Sequence, residues 1–75
     1  LNLNEYQAAA DTTAMHPNKG NNIFYPVFGL IGEYGEVVEA IERGANSANI
    51  ILELSDTCWY LSTICTELKI NLSDI

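Results

Sequence analysis

Apolar residues recur through the middle of the chain at Val27, Leu30, Ile31, Tyr34, Val37, Val38 and Ile41. That spacing of three and four fits a helix and not a strand. It predicts a helix over Pro26 to Arg43, with proline suited to the first helical position and Gly44 to the stop. A second periodic set comprises Ile50, Ile51, Leu54, Cys58, Leu61, Ile64, Cys65 and Leu68. It predicts another helix, from an N-cap at Ser47 to about Leu68. Only Gly44-Ala45-Asn46-Ser47 links the two, so they are expected to fold back as an antiparallel helical hairpin. Ahead of them, Asn4 as N-cap and Glu5 to about Ala14 indicate a short N-terminal helix. The segment His16-Pro-Asn-Lys-Gly-Asn-Asn22 is a polar, turn-rich loop. The fold class is all-α, in a single domain over residues 1–75.

The second helix is apolar on more than one side. Leu52 and Trp59 lie off its main seam, and Ile51 and Cys58 widen it. At 75 residues the chain is near the lower size at which one core suffices. A homodimer or homotetramer, in which two hairpins bury a four-helix-bundle core, answers both observations. Gly29, Gly32 and Gly35 form a strip of small residues that suits close helix approach, although each glycine costs on the order of 1 kcal/mol relative to alanine.

The polar positions carry two acidic signatures, Glu33-Tyr-Gly-Glu36 and Glu53-Leu-Ser-Asp56. Residues three apart project from one side of a helix. On a helical wheel the apolar arc centres about 100° from Glu33, away from Glu36, and about 100° from Glu53, away from Asp56. Antiparallel helices sharing an apolar seam are related by an approximate two-fold axis. Equal offsets therefore put both pairs on one side of the hairpin. The midpoint between the two signatures falls in the link, so they also match in height. Four carboxylates should converge. A solvated acidic face is the ordinary reading of one such pair, but two pairs matched in rotation and height point to a shared cation. Oxygen ligands without imidazole favour Mg²⁺, with Mn²⁺ possible, over iron or zinc. A ferritin-like di-iron centre would want Glu-x-x-His pairs, and neither signature has histidine.

Ten acidic and three basic residues give a net charge of −7. That charge argues against a nucleic-acid polymer or a membrane surface as partner. For a phosphorylated small ligand, bound metal would have to supply most of the positive charge. Cys58 and Cys65 lie roughly 10 Å apart along one helix, too far for a disulfide. They read as buried free thiols, which fits a cytoplasmic location. No signal peptide and no apolar run of membrane-spanning length is present.

Gly29-Leu-Ile-Gly-Glu33-Tyr-Gly-Glu36-Val-Val-Glu39, followed after sixteen residues from Glu36 by Glu53-Leu-Ser-Asp56-Thr-Cys-Trp59-Tyr60-Leu61, resembles the MazG-like nucleotide pyrophosphohydrolases. These belong to the all-α NTP pyrophosphatase superfamily. Leu3-Asn-Glu-Tyr-Gln7 and Leu68-Lys-Ile-Asn-Leu-Ser-Asp-Ile75 also resemble it, so the likeness spans nearly the whole chain. The resemblance implies that Glu33, Glu36, Glu53 and Asp56 are Mg²⁺ ligands. It implies hydrolysis of a nucleoside triphosphate, often a deoxynucleotide, between the α and β phosphates, yielding the monophosphate and pyrophosphate. A carboxylate not fully engaged as a ligand, Glu36 or Glu53, would accept the proton of the attacking water. Relatives usually continue into a further helix with Asn, Lys and Arg that help hold the substrate. The chain reaches Ile75 without it, and that helix is expected to be missing.

Candidates for holding the nucleotide are Tyr60, one turn beyond Asp56, and His16, Lys19, Asn21 and Asn22 in the loop before the acidic helix. Tyr60 as an interface aromatic and the loop as a plain solvated turn are the structural alternatives. Trp59, Phe24 and Phe28 read as packing residues, Glu42 as solvated, and Glu39 as a residue behind the acidic patch. The expected function is a nucleotide-pool house-cleaning pyrophosphohydrolase. The alternative is a non-catalytic helical module that binds a nucleotide or a protein partner.

Overall fold

Three helices and a final 3₁₀ turn follow from local signals reinforced by a few long-range bonds. In the computed structural model, which describes residues 1–75, α1 spans Leu3–Asp11, α2 Phe24–Glu42 and α3 Ser47–Glu67, with one 3₁₀ turn over Leu72–Asp74. No strand is present, and α2 and α3 form the expected antiparallel hairpin. α1 and the 3₁₀ turn pack together beside α3.

The helix ends differ from the sequence expectation by one to three residues, each for an identifiable reason. Asn2, not Asn4, caps α1 in a capping box: its side chain accepts the Glu5 N–H at 2.8 Å, and Glu5 Oε1 accepts the Asn2 N–H at 3.1 Å. Asn4 and Gln7 fit a capping box equally well in sequence, but they serve the C-terminal turn instead. Gln7 Oε1 accepts the Leu72 N–H at 2.8 Å, its Nε2 donates to the Ile70 carbonyl at 2.9 Å, and Asn4 Oδ1 accepts the Ser73 N–H at 3.3 Å. α1 then ends at Asp11 and not Ala14, with the Thr12 and Thr13 hydroxyls donating back to the Ala9 and Ala10 carbonyls. α2 starts two residues before Pro26. A first-turn proline costs no bond because first-turn N–H groups have no intrahelical acceptor. Asn22 Oδ1 accepts the Tyr25 N–H at 3.2 Å and completes the start. Asn46, not Ser47, caps α3 by accepting the Asn49 N–H at 3.0 Å.

Between the hairpin arms, Gly44 adopts φ +72°. The Gly44 N–H donates to the Ile41 carbonyl and the Ala45 N–H to that of Ala40, at 3.1 and 3.0 Å. This is a Schellman stop, which satisfies two otherwise unpaired carbonyls and turns the chain sharply into α3.

Only nine of 75 residues are buried, among them Ala10, Ala14, Ala40, Cys65 and Leu72. So small a core leaves large apolar side chains in water, including Phe24, Phe28, Ile31, Tyr34, Val38 and Ile41 along α2, and Ile51, Leu52 and Leu54 on α3. Cys65 is buried as expected; Cys58 is exposed and lines a cleft of about 420 Å³ with Tyr6, Leu61 and Leu72. Of the glycine strip, Gly32 and Gly35 border open space and only Gly29 is closely packed, against Tyr60.

The loop between α1 and α2 is fastened by one carboxylate near the end of α3. Glu67 Oε1 lies 2.7 Å from His16 Nε2 and accepts the Gly20 N–H at 2.9 Å, while Oε2 accepts the Asn22 N–H at 3.1 Å. Both ionisable side chains are almost fully buried. Burial alone would raise the Glu67 carboxyl, but the His16 ring and the Gly20 and Asn22 amides outweigh it and hold the pKa below the usual glutamate range. A depressed folded-state pKa contributes stability above the unfolded value that is lost as pH falls through the folded one. Replacing Glu67 by Ala leaves His16 and two amides without their acceptor. The expected loss is about 3 kcal/mol, or roughly 15 °C in melting temperature for a domain of this size. A melting temperature lowered by less than a few degrees would show that the loop does not depend on Glu67.

Candidate metal centre

Both acidic signatures sit on the α2–α3 hairpin at matched distances from the link, so each α2 carboxylate meets one from α3. Carboxylate oxygens of Glu33, Glu53 and Asp56 lie within 4.8 Å of one another. Glu36, exposed on α2, is near enough for its carboxylate to raise the pKa of both Glu33 and Glu53. The hairpin thus brings Glu33, Glu53 and Asp56 to one place, with Glu36 beside them. No positive side chain answers them: the ion pairs of the chain are His16–Glu67 and Lys19–Asp11. Oε2 of Glu33 and Oε2 of Glu53 are both buried and unpartnered.

The electrostatic consequence is direct. Burial, then the neighbouring carboxylate of Glu36 and the charges of Asp56 and Glu53, push the Glu33 carboxyl up to about 7. For Glu53 the Glu36 carboxylate is the largest cause, followed by burial and the charges of Glu36 and Asp56, and the pKa is again raised. Like charges at this separation resist ionising together. Two buried acceptors without donors, in an all-oxygen donor set, suit a divalent cation. Glu39 and Glu42 are exposed farther along α2.

The candidate nucleotide contacts fall into two groups. Tyr60 lies at the edge of the cluster. Its hydroxyl is raised in pKa first by burial, then by the nearby hydroxyl of Tyr25 and the charge of Glu33, with a smaller effect from Asp56. His16, Lys19 and Asn22 stand in the loop and bond within the protein through His16 Nε2, Lys19 Nζ and the Asn22 side-chain amide, while His16 Nδ1 is buried without a partner. His16 holds Glu67 and stacks on Tyr25 with ring centroids 4.6 Å apart. Lys19 Nζ donates to the Asp11 carbonyl at 2.6 Å and lies 3.4 Å from its carboxylate. Asn22 Nδ2 donates to the Pro17 carbonyl at 2.9 Å. Trp59 Nε1 donates to Thr13 Oγ1 at 2.9 Å, which ties its ring to the end of α1. Sequence reasoning missed Tyr25 and Glu67. Glu67 follows Asp56 by eleven residues, three helical turns along the same face of α3, and that spacing was the available signal.

The sequence pattern of the MazG nucleotide pyrophosphohydrolase domain matches residues 27–75. The chain belongs to this family. The matched region contains both acidic pairs, Gly29 and Tyr60, and begins after the His16–Asn22 loop. The chain is also similar to the Gene 37 protein of Mycobacterium phage L5, at 27% identity over 90 residues, covering all of this chain and 79% of that protein. No solved structure matches it. MazG proteins generally work with a divalent metal, and the acidic cluster of this member has the composition to hold one.

A carboxyl raised in the folded state contributes stability that is present below its unfolded pKa and lost as pH rises through the folded one. For Glu33 that window runs from the usual value of 4.5 to about 7. In chelator the folded MazG domain should therefore lose stability across this window. Mg²⁺ should raise the melting temperature little at pH 5 and by several degrees at pH 8. Glu33→Gln should flatten the difference. An Mg²⁺ effect that is absent, or equal at both pH values, contradicts the reading.

Proposed function

We propose that this MazG-family protein is a Mg²⁺-dependent nucleoside triphosphate pyrophosphohydrolase that cleaves (d)NTP to (d)NMP and pyrophosphate. Its role would be nucleotide-pool house-cleaning in the cytoplasm. The observation that carries the reading is the cluster of three carboxylate oxygens within 4.8 Å, two of its glutamates holding buried oxygens without donors. Glu33, Glu36, Glu53 and Asp56 would hold Mg²⁺, with Mn²⁺ able to replace it. The bound cation supplies the positive charge that a triphosphate needs and makes a bound water more acidic.

The remaining work falls to the chain itself. With three basic residues in 75, the protein cannot neutralise a triphosphate by its own side chains. Glu53 and Glu36 are the catalytic carboxylates, and one of them accepts the proton of the attacking water. Of these two, Glu53 is the one with a buried Oε2 that has no partner. Tyr60 would donate to the substrate from the edge of the cluster. Lys19 is half-exposed and can swing from Asp11 to a phosphate, while His16 and Asn22 shape the loop beside it. The exposed apolar stripe on α2 and the open space at Gly32 and Gly35 suit a second hairpin, as a homodimer or homotetramer with a four-helix core.

The purified protein, sedimenting as a dimer or larger, should release pyrophosphate from at least one (d)NTP in Mg²⁺ and none in chelator. Glu53→Gln should lower the rate by about 10² or more. Absence of release by the folded protein across canonical and modified nucleotides sinks the enzyme reading. Metal-dependent nucleotide binding without turnover would instead establish a non-catalytic module.

A further inference from the structure

The three interior glycines of α2 differ in what surrounds them. A methyl group at Gly32 or Gly35 meets nothing within 4 Å, but at Gly29 it would lie 2.5 Å from Cδ1 and 2.6 Å from Cζ of Tyr60. Carbon atoms normally rest about 3.5–4.0 Å apart, so the Tyr60 ring occupies the space that a side chain at position 29 would take. Backbone conformation gives no reason for glycine here. Gly29 sits in the second turn of α2, without the positive φ that Gly20 and Gly44 adopt, and alanine would be the better helix former.

The place of this notch in the hairpin is informative. Gly29 lies one turn before Glu33 on α2, and Tyr60 one turn after Asp56 on α3, so the ring crosses between the helices next to the acidic cluster. Trp59 closes edge-on from one side at a centroid distance of 5.1 Å. Tyr25 stands on another at 6.4 Å, itself stacked on His16. The hydroxyl end feels the charges of Glu33 and Asp56.

We infer that Gly29 is a positioning residue of the nucleotide site: lacking a side chain, it seats the Tyr60 ring across α2 so that the phenol stands beside Glu33 as a donor to a phosphate oxygen. This role rests on the pyrophosphohydrolase reading, whereas the seat itself does not. A methyl group at position 29 cannot coexist with the ring in this seat, so Gly29→Ala displaces the phenol without replacing any of the four carboxylates.

The test is a cycle of Gly29→Ala and Tyr60→Leu, singly and together. Melting temperature is read beside Mg²⁺-dependent binding of a non-hydrolysable α,β-methylene deoxynucleoside triphosphate. With Tyr60 present, Gly29→Ala lowers the melting temperature and weakens the analogue roughly tenfold, the scale of one hydrogen bond to a charged oxygen. With Leu at position 60 the same change raises the melting temperature and leaves the affinity of the Tyr60→Leu protein unaltered. Tyr60→Phe, which keeps the ring seated, weakens the analogue to a similar degree without the drop in melting temperature. Should Gly29→Ala fail to fold, recovery of folding in the double variant supports the seat and its failure there overturns it. Stabilisation by Gly29→Ala with Tyr60 in place, or affinity losses that multiply in the double variant, also overturns the inference. A wild-type protein that binds no nucleotide removes the pyrophosphohydrolase reading and the positioning role with it. The sign reversal in melting temperature then still reports whether Gly29 seats Tyr60.

Discussion

Like charges held close together are the constraint on which this structure turns. Carboxylate oxygens from Glu33, Glu53 and Asp56 lie within 4.8 Å of one another, with Glu36 in reach and no cationic side chain nearby. A chain that merely scattered its acids over a polar surface would separate them. Here the hairpin register holds them together, and part of the repulsion is relieved by retaining a proton on Glu33 up to about pH 7. A divalent cation bound among them would relieve more of it.

The rest of the fold serves that register. The Schellman stop at Gly44 and the Asn46 cap set a short, rigid link, and everything on the hairpin is placed by its distance from it. One turn beyond the acids, Gly29 receives Tyr60. Tyr25 backs that ring and stacks on His16, and His16 is tied to Glu67. An unbroken series of contacts thus runs from the loop before α2 to the edge of the acidic cluster. The opposite face of α2 is apolar and exposed, in a chain that buries only nine residues.

What the sequence disclosed and what it hid divide along physical lines. The hairpin was legible because apolar periodicity is a local signal, and the meeting of the two acidic pairs because equal wheel offsets and equal distances from the link constrain geometry without any tertiary knowledge. Helix ends were less legible where two cap registers both satisfy local rules. Asn2 and Asn4 each have a partner three residues on, and the choice is made by Leu72 and Ser73, whose N–H groups need Gln7 and Asn4. The His16–Glu67 contact joins residues 51 apart, which no periodicity announces. The glycine strip was visible, but which glycine matters depends on the residue facing it across the hairpin, and only Gly29 faces an aromatic ring.

The central claim is that the four carboxylates are one cation site, and a crystal grown with Mn²⁺ and examined by anomalous scattering at the manganese edge tests it most directly. The account predicts a strong anomalous peak bounded by Glu33, Glu53 and Asp56, with Glu36 drawn toward it. An acidic cluster with no peak at saturating Mn²⁺, its side chains splayed into solvent, would contradict it.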